Sequence, residues 1–265
     1  MAVEARFVGT DGWAFRGQDT ALFPDTSLER HCQSLDLTGA AIVDLEVKLI
    51  RDFARHYHHY HRATPPPKGY TLEWLSILRH YGTPTRLLDL TYSFFIAAFF
   101  ALETAEDSAV IWAMNVSGIS REAKGLIAMT LPNGEELVRD FDTKRDEGHF
   151  RSLFMAQFPL RFVHSANPMR LNERLTIQQG IFVAPGDVTA SFEENLRAVP
   201  NHANLIKQIV INPVCRPEVL RKLYSMGINS ATLYPGLEGF ARSLRTKSLI
   251  LKDLPPQGVE ALEDI

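Results

Sequence analysis

The sequence predicts a fold of the α+β class, a single mixed α/β domain in which helical segments pack on a central sheet. The chain has 265 residues, which suffices for one elaborated domain with its own core. Apolar residues at helical spacing alternate along it with short continuous apolar runs, which are typical of buried strands. No repeat or long linker divides these segments, so we expect one domain over residues 1–265, with its core at about 13–245.

The first half of the chain predicts one strand and three helices. Residues 12–16 are expected to form a short strand. A four-residue apolar repeat predicts a helix over residues 44–61, which a proline cluster must end. Thr71 can cap a second helix over residues 71–80, and residues 92–103 have the strongly apolar pattern of a third.

The second half predicts more strands than helices. Residues 109–116 form a short apolar run after a polar break, which indicates a buried strand. The segment 118–149 is richer in charge and less periodic, so we expect it at the periphery. Pro217 and Gly227 predict a helix between them, because proline favours the start of a helix and glycine the position just beyond its end. Further strands are expected at residues 158–164, 181–184, 205–211 and 230–234.

Net charge and composition indicate which partners and which cellular compartment to expect. A formal net charge of -3 argues against a broadly basic surface that would coat nucleic acid or an anionic membrane. The most apolar window, residues 94–102, is about half the roughly 20 residues needed to cross a bilayer, so no membrane partner is expected. Cys32 and Cys215 lie far apart, and the N-terminus lacks a secretory pattern. We therefore expect a cytoplasmic protein.

The stretch WAFRGQ, residues 13–18, is the first candidate site. Strand alternation places Arg16 on the face opposite its aromatic neighbours, and Gly17 lets a ligand or a second chain approach the backbone closely. With Gln18 beside it, the guanidinium fork of Arg16 could grip a phosphate or carboxylate. The structural alternative is that Arg16 pairs with an internal acid.

The stretch HYGTPTRLLDLT, residues 80–91, is the second candidate. A turn ending at Thr85 would aim Arg86 into a cleft while leucines anchor the segment. If Arg86 pairs with Asp89, which is helically spaced from it, the stretch is structural. If Arg86 instead converges with Arg16, the repulsion between the two guanidinium groups requires an anion, and the cleft becomes a diphosphate site.

Two later segments supply further polar groups. Gln178 and Gln179 precede a strand-entering glycine and offer amides suited to a ring amide or to ribose hydroxyls. The alternative is that these glutamines, at a strand edge, have a purely structural role. Glu238 lies between two glycines, where its carboxylate could take part in chemistry or cap the helix that follows.

The histidines of the first long helix predict no metal site. Pairs of them share a helix face, but acidic or thiolate ligands are not evident nearby in the sequence, so a solvated polar face is the preferred interpretation and no metal is expected. The cluster consists of His56, His58, His59 and His61. Motifs of P-loop enzymes, Rossmann dehydrogenases, zinc proteases and GxSxG hydrolases are missing from the sequence, which disfavours those classes.

Taken together, these motifs resemble the FRG domain family. The resemblance rests on FRGQ at residues 15–18, HYGTPTRLLD at 80–89, QQGIF at 178–182 and YPGLEG at 234–239, and it extends from about Trp13 to Leu244. Leu90 stands where a tryptophan is expected and Tyr234 where a phenylalanine is expected, and neither departure removes a charged group. The resemblance thus groups the charged motifs into one FRG-like domain.

The resemblance implies a bacterial or phage protein with a role in conflict or defence. An Arg-Gly at the end of a first strand also resembles the opening motif of ADP-ribosyltransferases of the Arg-Ser-Glu type, in which the arginine holds the NAD phosphates. An ADP-ribosyltransferase-like fold is therefore expected as one option. The Ser-Thr-Ser strand and the Glu-x-Glu pair of those enzymes have no counterpart in this sequence.

Three functions follow as hypotheses. In the first, the chain is an NAD-using ADP-ribosyltransferase-like toxin or defence effector: Arg16 and Arg86 bind the diphosphate, Gln179 seats the nicotinamide ribose, and Glu238 or Asp89 stabilises the oxocarbenium-like centre. Such an enzyme implies a macromolecular acceptor and an antitoxin or an associated defence component. In the second, the chain is a nucleic-acid-directed toxin, such as a metal-independent nuclease with His80 as acid or base and the arginines on phosphate. In the third, it is a non-catalytic module that senses a nucleotide.

Overall fold

Six strands form one open sheet in which every adjacent pair is antiparallel. A computed structural model describes residues 12–144, 147–156 and 159–251. The strands are β1 (Trp13–Gln18), β2 (Leu88–Thr91), β3 (Ala109–Asn115), β4 (Val163–Ser165), β5 (Gly180–Pro185) and β6 (Ile206–Ile211). Their order across the sheet is β4-β5-β2-β1-β3-β6, so β1 and β2 lie at its centre.

Helices surround the sheet and occupy more of the described chain than the strands do. They are α1 (Ser27–Ser34), α2 (Ala40–Tyr60), α3 (Thr71–His80), α4 (Phe94–Leu102), α5 (Val116–Thr130), α6 (Gly134–Lys144), α7 (Glu147–Phe154), α8 (Glu173–Ile177), α9 (Phe192–Arg197), α10 (His202–Leu205), α11 (Arg216–Ser225), α12 (Ser230–Leu233) and α13 (Leu237–Leu251). A 3-10 turn, Pro213–Cys215, precedes α11. The mixed α/β class is confirmed.

Both faces of the central strands are buried, because strand alternation sends apolar side chains in both directions. On one face, Phe15 and Ile111 pack against α4, whose sequence FFIAAFFAL is apolar on every side. On the other face, Ala14 and Trp112 join Leu90 in a second cluster. A helix without a polar side must be enclosed, and α4 is enclosed between the sheet and α11.

Several predicted elements are confirmed with shifted ends. The helices expected at 44–61, 71–80 and 92–103 correspond to α2, α3 and α4, although Thr71 is the first residue of α3 and caps nothing with its side chain. The strands expected at 12–16, 109–116, 181–184 and 205–211 correspond to β1, β3, β5 and β6. Gly227 follows α11 with a φ of 76°, as its position predicted.

Four expectations differ from the structure. Asp89 does not lie on a helix with Arg86, since residues 88–91 form β2 and pair with β5. Residues 230–234 are not a strand, because Asn229 forms a capping box that starts α12. The segment 118–149 carries helices α5 to α7, whose buried face was obscured by its many charges. The strand expected at 158–164 is reduced to β4, and Phe158 lies outside the described residues.

None of the helices in the described part of the chain combines the length and the apolar character that crossing a membrane requires.

Candidate active site

A cleft opens where the two central strands separate. The register between β1 and β2 places Phe15 opposite Thr91, whereas β1 pairs with β3 at six positions out to Gln18. Beyond Phe15, β1 continues with β3 while β2 continues with β5, so the backbones of β1 and β2 diverge. The side chains of Arg16 and Gln18 line the space between them.

The cleft has two lobes that share one waist. Lobe A has a volume of about 320 Å³ and lobe B about 210 Å³, which puts the cleft in the size range of small-molecule sites. The waist, lined by residues common to both lobes, consists of Arg79, Asp89, Arg174, Leu175 and Gln178. Lobe A adds Arg16, Gln18, Phe100, Glu103, Thr104 and Tyr234, among others. Lobe B adds His80, Gly82, Asn172 and Phe182.

Arg16 lies in the cleft without a carboxylate partner among the described side chains. Its Nη1 donates a hydrogen bond of 3.0 Å to the main-chain carbonyl of Asp89, and not to the Asp89 carboxylate. Its Nε is buried and has no hydrogen-bond partner. Burial lowers the pKa of Arg16 to about 10. The nearby charge of Asp89 opposes this shift, and that of Arg79 adds to it. A buried donor without an acceptor is costly, and an anionic ligand would remove that cost.

Asp89 is held by Arg79, the penultimate residue of α3. The Arg79 Nε donates to Asp89 Oδ2 at 2.8 Å, and Nη2 bonds the same oxygen. Burial by itself would raise the pKa of Asp89, but Arg79, Arg16 and Arg174 together hold this pKa below its usual value. Asp89 is therefore charged at neutral pH, and its charge fixes the Arg79 guanidinium at the waist.

Arg174 is the third guanidinium of the cleft. It lies on α8, which begins where the Asn172 side chain accepts a hydrogen bond from the amide of Leu175. The Arg174 guanidinium carbon stands 4.5 Å from the centre of the Tyr234 ring. Within the described residues it makes no ion pair, so its charge is available to a ligand.

Three other predicted residues line lobe A or the waist. Gly17 lies in lobe A, and a Cβ there would stand 1.8 Å from the carbonyl oxygen of Ala97, so glycine permits the contact between β1 and α4. The Gln18 amide is tied to the carbonyls of Thr20 and Leu22. Gln178 lies at the waist, and its Nε2 donates to the carbonyl of Leu233 at 3.0 Å.

His80 lines lobe B at the end of α3. Desolvation, followed by the repulsion of Arg174, lowers the pKa of His80, while Glu173 opposes the shift. The imidazole is therefore held towards its neutral form.

Arg86 does not meet Arg16, and the prediction that these two converge is wrong. Its Nε donates to Glu46 Oε1 at 2.8 Å, its Nη2 pairs with Oε2, and the two side chains are 2% and 1% exposed. Its Nη1 also donates to the carbonyls of Phe154 and Pro185. Arg86 thus joins α2, α7 and β5 inside the protein, and it cannot also serve a ligand.

The remaining predicted residues line neither lobe. Thr85 is fully buried against α1, where its amide donates to Ser27 Oγ. Gln179 is exposed in a left-handed conformation with a φ of 49°, and its carbonyl accepts the amide of Tyr92. Glu238 is exposed and pairs with Arg242, four residues further along α13, at 2.7 Å. The positions of Thr85, Gln179 and Glu238 therefore give no support to a ligand-binding or catalytic role.

The histidines of α2 lie at its exposed end, and His56 and His59 are ring neighbours with centroids 6.3 Å apart. Among the described residues, no three histidine, cysteine or acidic side chains are arranged to hold a metal ion.

Arg79, Glu103 and the role of Arg174 were missed from the sequence. Arg79 directly precedes the quoted stretch 80–91, and Arg174 lies between two polar residues beside the glutamines. Nothing in their local patterns separates them from solvated helical arginines. Only the convergence of α3, α8 and β1 brings Arg79, Arg174 and Arg16 around one cleft.

Comparison with known proteins supports the resemblance noted from the motifs over part of the chain. The model of the family described as FRG domain matches residues 11–109, which include β1, α3, β2 and α4. The segments 178–182 and 234–239 lie outside this match. Neither the search of curated proteins nor the search of solved structures gives a match. Residues 11–109, which match the FRG domain model, contribute Arg16, Arg79, Asp89 and Glu103 to the cleft.

Proposed function

We propose that the cleft binds NAD, and that the protein is an ADP-ribosyltransferase-like enzyme that uses it. The observation that carries the proposal is the waist between two lobes, which Arg79 and Arg174 line, with Arg16 in the adjoining lobe A. A dinucleotide has this form, with two nucleosides joined by a diphosphate. Its phosphates would accept from Arg174 and from the unpaired Nε of Arg16.

The catalytic part of the proposal needs little covalent chemistry from the protein. The bond between C1′ of the nicotinamide ribose and the ring nitrogen breaks, and its electron pair leaves with nicotinamide. A nucleophile of the acceptor or a water bonds to C1′ and gives up its proton to solvent. Positioning accelerates such a step, and arginines that fix the diphosphate, which stays with the ADP-ribosyl group, would supply it.

The experiment compares NAD binding by calorimetry and nicotinamide release by chromatography. Arg16→Met is expected to weaken binding by about tenfold or more, since it removes a charged donor worth roughly 1.5–3 kcal/mol. Arg197→Met serves as the control, because this exposed arginine pairs with Glu193 outside the cleft. Binding that is insensitive to Arg16 would contradict the proposed site. If NAD binding depends on Arg16 but no nicotinamide is released, the protein is a nucleotide-sensing module and not an enzyme that uses NAD.

One observation favours a nuclease as the second candidate. His80 carries a lowered pKa and lies in the same lobe as Arg174, so a neutral imidazole stands near a phosphate-binding side chain. Cleavage of RNA or DNA that His80→Ala abolishes, with NAD inert, would favour this function. A role as toxin or defence effector, the acceptor and any antitoxin stay predictions.

A further inference from the structure

The two lobes differ in their acidic residues. Lobe A contains Asp19 and Glu103, the latter at the C-terminal cap of α4, whereas the side chains particular to lobe B carry no carboxylate. The Glu103 Oε1 accepts a hydrogen bond of 2.7 Å from the hydroxyl of Ser230, which is fully buried. The carboxylate is therefore held in place at the wall of the lobe.

Glu103 has no basic partner in the described ranges. Arg216, which approaches it, donates to the main-chain carbonyl of Glu103 and not to its carboxylate. The other acids of lobe A differ in this respect, because Asp89 is neutralised by Arg79, and Asp19 is exposed and accepts the hydroxyl of Thr104. Glu103 thus presents an uncompensated negative charge in a cleft whose waist is positive.

A cleft with separated positive and negative groups fits a ligand that carries both charges. We propose that lobe A takes a cationic aromatic ring joined to phosphate, so that Glu103 makes the site specific for the oxidised, pyridinium form of a dinucleotide. The ring would lie by the Phe100 and Tyr234 side chains of lobe A, with its charge facing Glu103. This inference rests on the proposed NAD site.

The proposal predicts a preference between NAD and NADH that is opposite to the one expected from their net charges alone. NADH lacks the ring charge, so it is more anionic than NAD, and arginines alone would bind NADH more tightly. With Glu103 facing the ring, the wild-type protein is expected to bind NAD about tenfold more tightly than NADH. Glu103→Gln should remove this preference by weakening NAD, while NADH binding stays unchanged or improves.

The experiment is a calorimetric titration of the full chain with NAD and with NADH. If NAD is turned over, the analogue with a cyclopentane in place of the nicotinamide ribose supplies the oxidised ring without a cleavable bond. Asp19→Asn is the matched control, since it removes a second carboxylate of the same lobe and is expected to leave the preference intact. Circular dichroism checks that Glu103→Gln retains its fold, and Ser230→Ala should reduce the preference partially.

Equal binding of NAD and NADH by the wild-type protein would overturn the role of Glu103 and leave the proposed NAD site standing. Loss of the preference in Asp19→Asn, with Glu103→Gln unaffected, would likewise overturn it. Failure of both dinucleotides to bind would overturn the proposed function, and this inference with it.

Discussion

Two regions of the molecule contain arginines from the segment that matches the FRG domain model, and their environments are opposite. Arg86 is buried against Glu46, with both carboxylate oxygens of that residue accepting its hydrogen bonds. Arg16 lies in an open cleft, bonds a main-chain carbonyl and keeps a buried Nε unpaired. The difference teaches that the role of an arginine depends on whether a carboxylate pairs with it. A dedicated buried carboxylate indicates a structural role, and its absence beside a cleft indicates a ligand.

The largest effect should come from breaking the buried pair. Arg86→Met leaves the Glu46 carboxylate buried without its cation, which is expected to reduce the free energy of unfolding by about 3–5 kcal/mol. Chemical denaturation followed by circular dichroism measures this loss. Replacing both partners, as in Arg86→Met with Glu46→Leu, should restore much of the stability, because no charge is left unpaired. A single mutant as stable as the wild type would break the contrast between the two regions.

A smaller effect is expected at the ion pair that borders the cleft. The pKa of Asp89 is lowered in the folded state, so its contribution to stability is present above the pKa of an unfolded aspartate, about 3.9, and is lost as the pH falls through the folded value. Asp89→Asn should therefore melt at a lower temperature than the wild type at pH 7, and the gap should close towards pH 3. Thermal melts at several pH values test this, and a gap that widens in acid would contradict it.

The smallest effect on stability is expected at Arg16. Arg16→Met removes a partly buried charge that has no carboxylate partner in the described structure, so the free energy of unfolding should stay within about 1 kcal/mol of the wild type. The same denaturation assay compares this variant directly with Arg86→Met. A loss as large as that of Arg86→Met would make Arg16 structural and remove the contrast.

The sequence determined much of the architecture because local patterns are sufficient for it. The apolar repeat of α2, the unbroken apolar run of α4 and the β-branched run of β6 each satisfy a rule that depends on neighbours along the chain. Residues 88–91 were not predicted as a strand because their strand character comes from pairing with β5. That pairing depends on residues about ninety positions away, which no local window contains.

The sequence by itself also marked Arg16, Asp89, Gln178 and His80 as residues of a charged cleft, through motifs that stand out along the chain. Which arginines share that cleft was decided by the tertiary structure alone. Glu46 lies forty residues before Arg86 and captures it inside the core. Arg79 and Arg174 reach the cleft because α3 and α8 both border it. Ion pairing depends on distance in space and on burial, and neither is written in the spacing of residues along the chain.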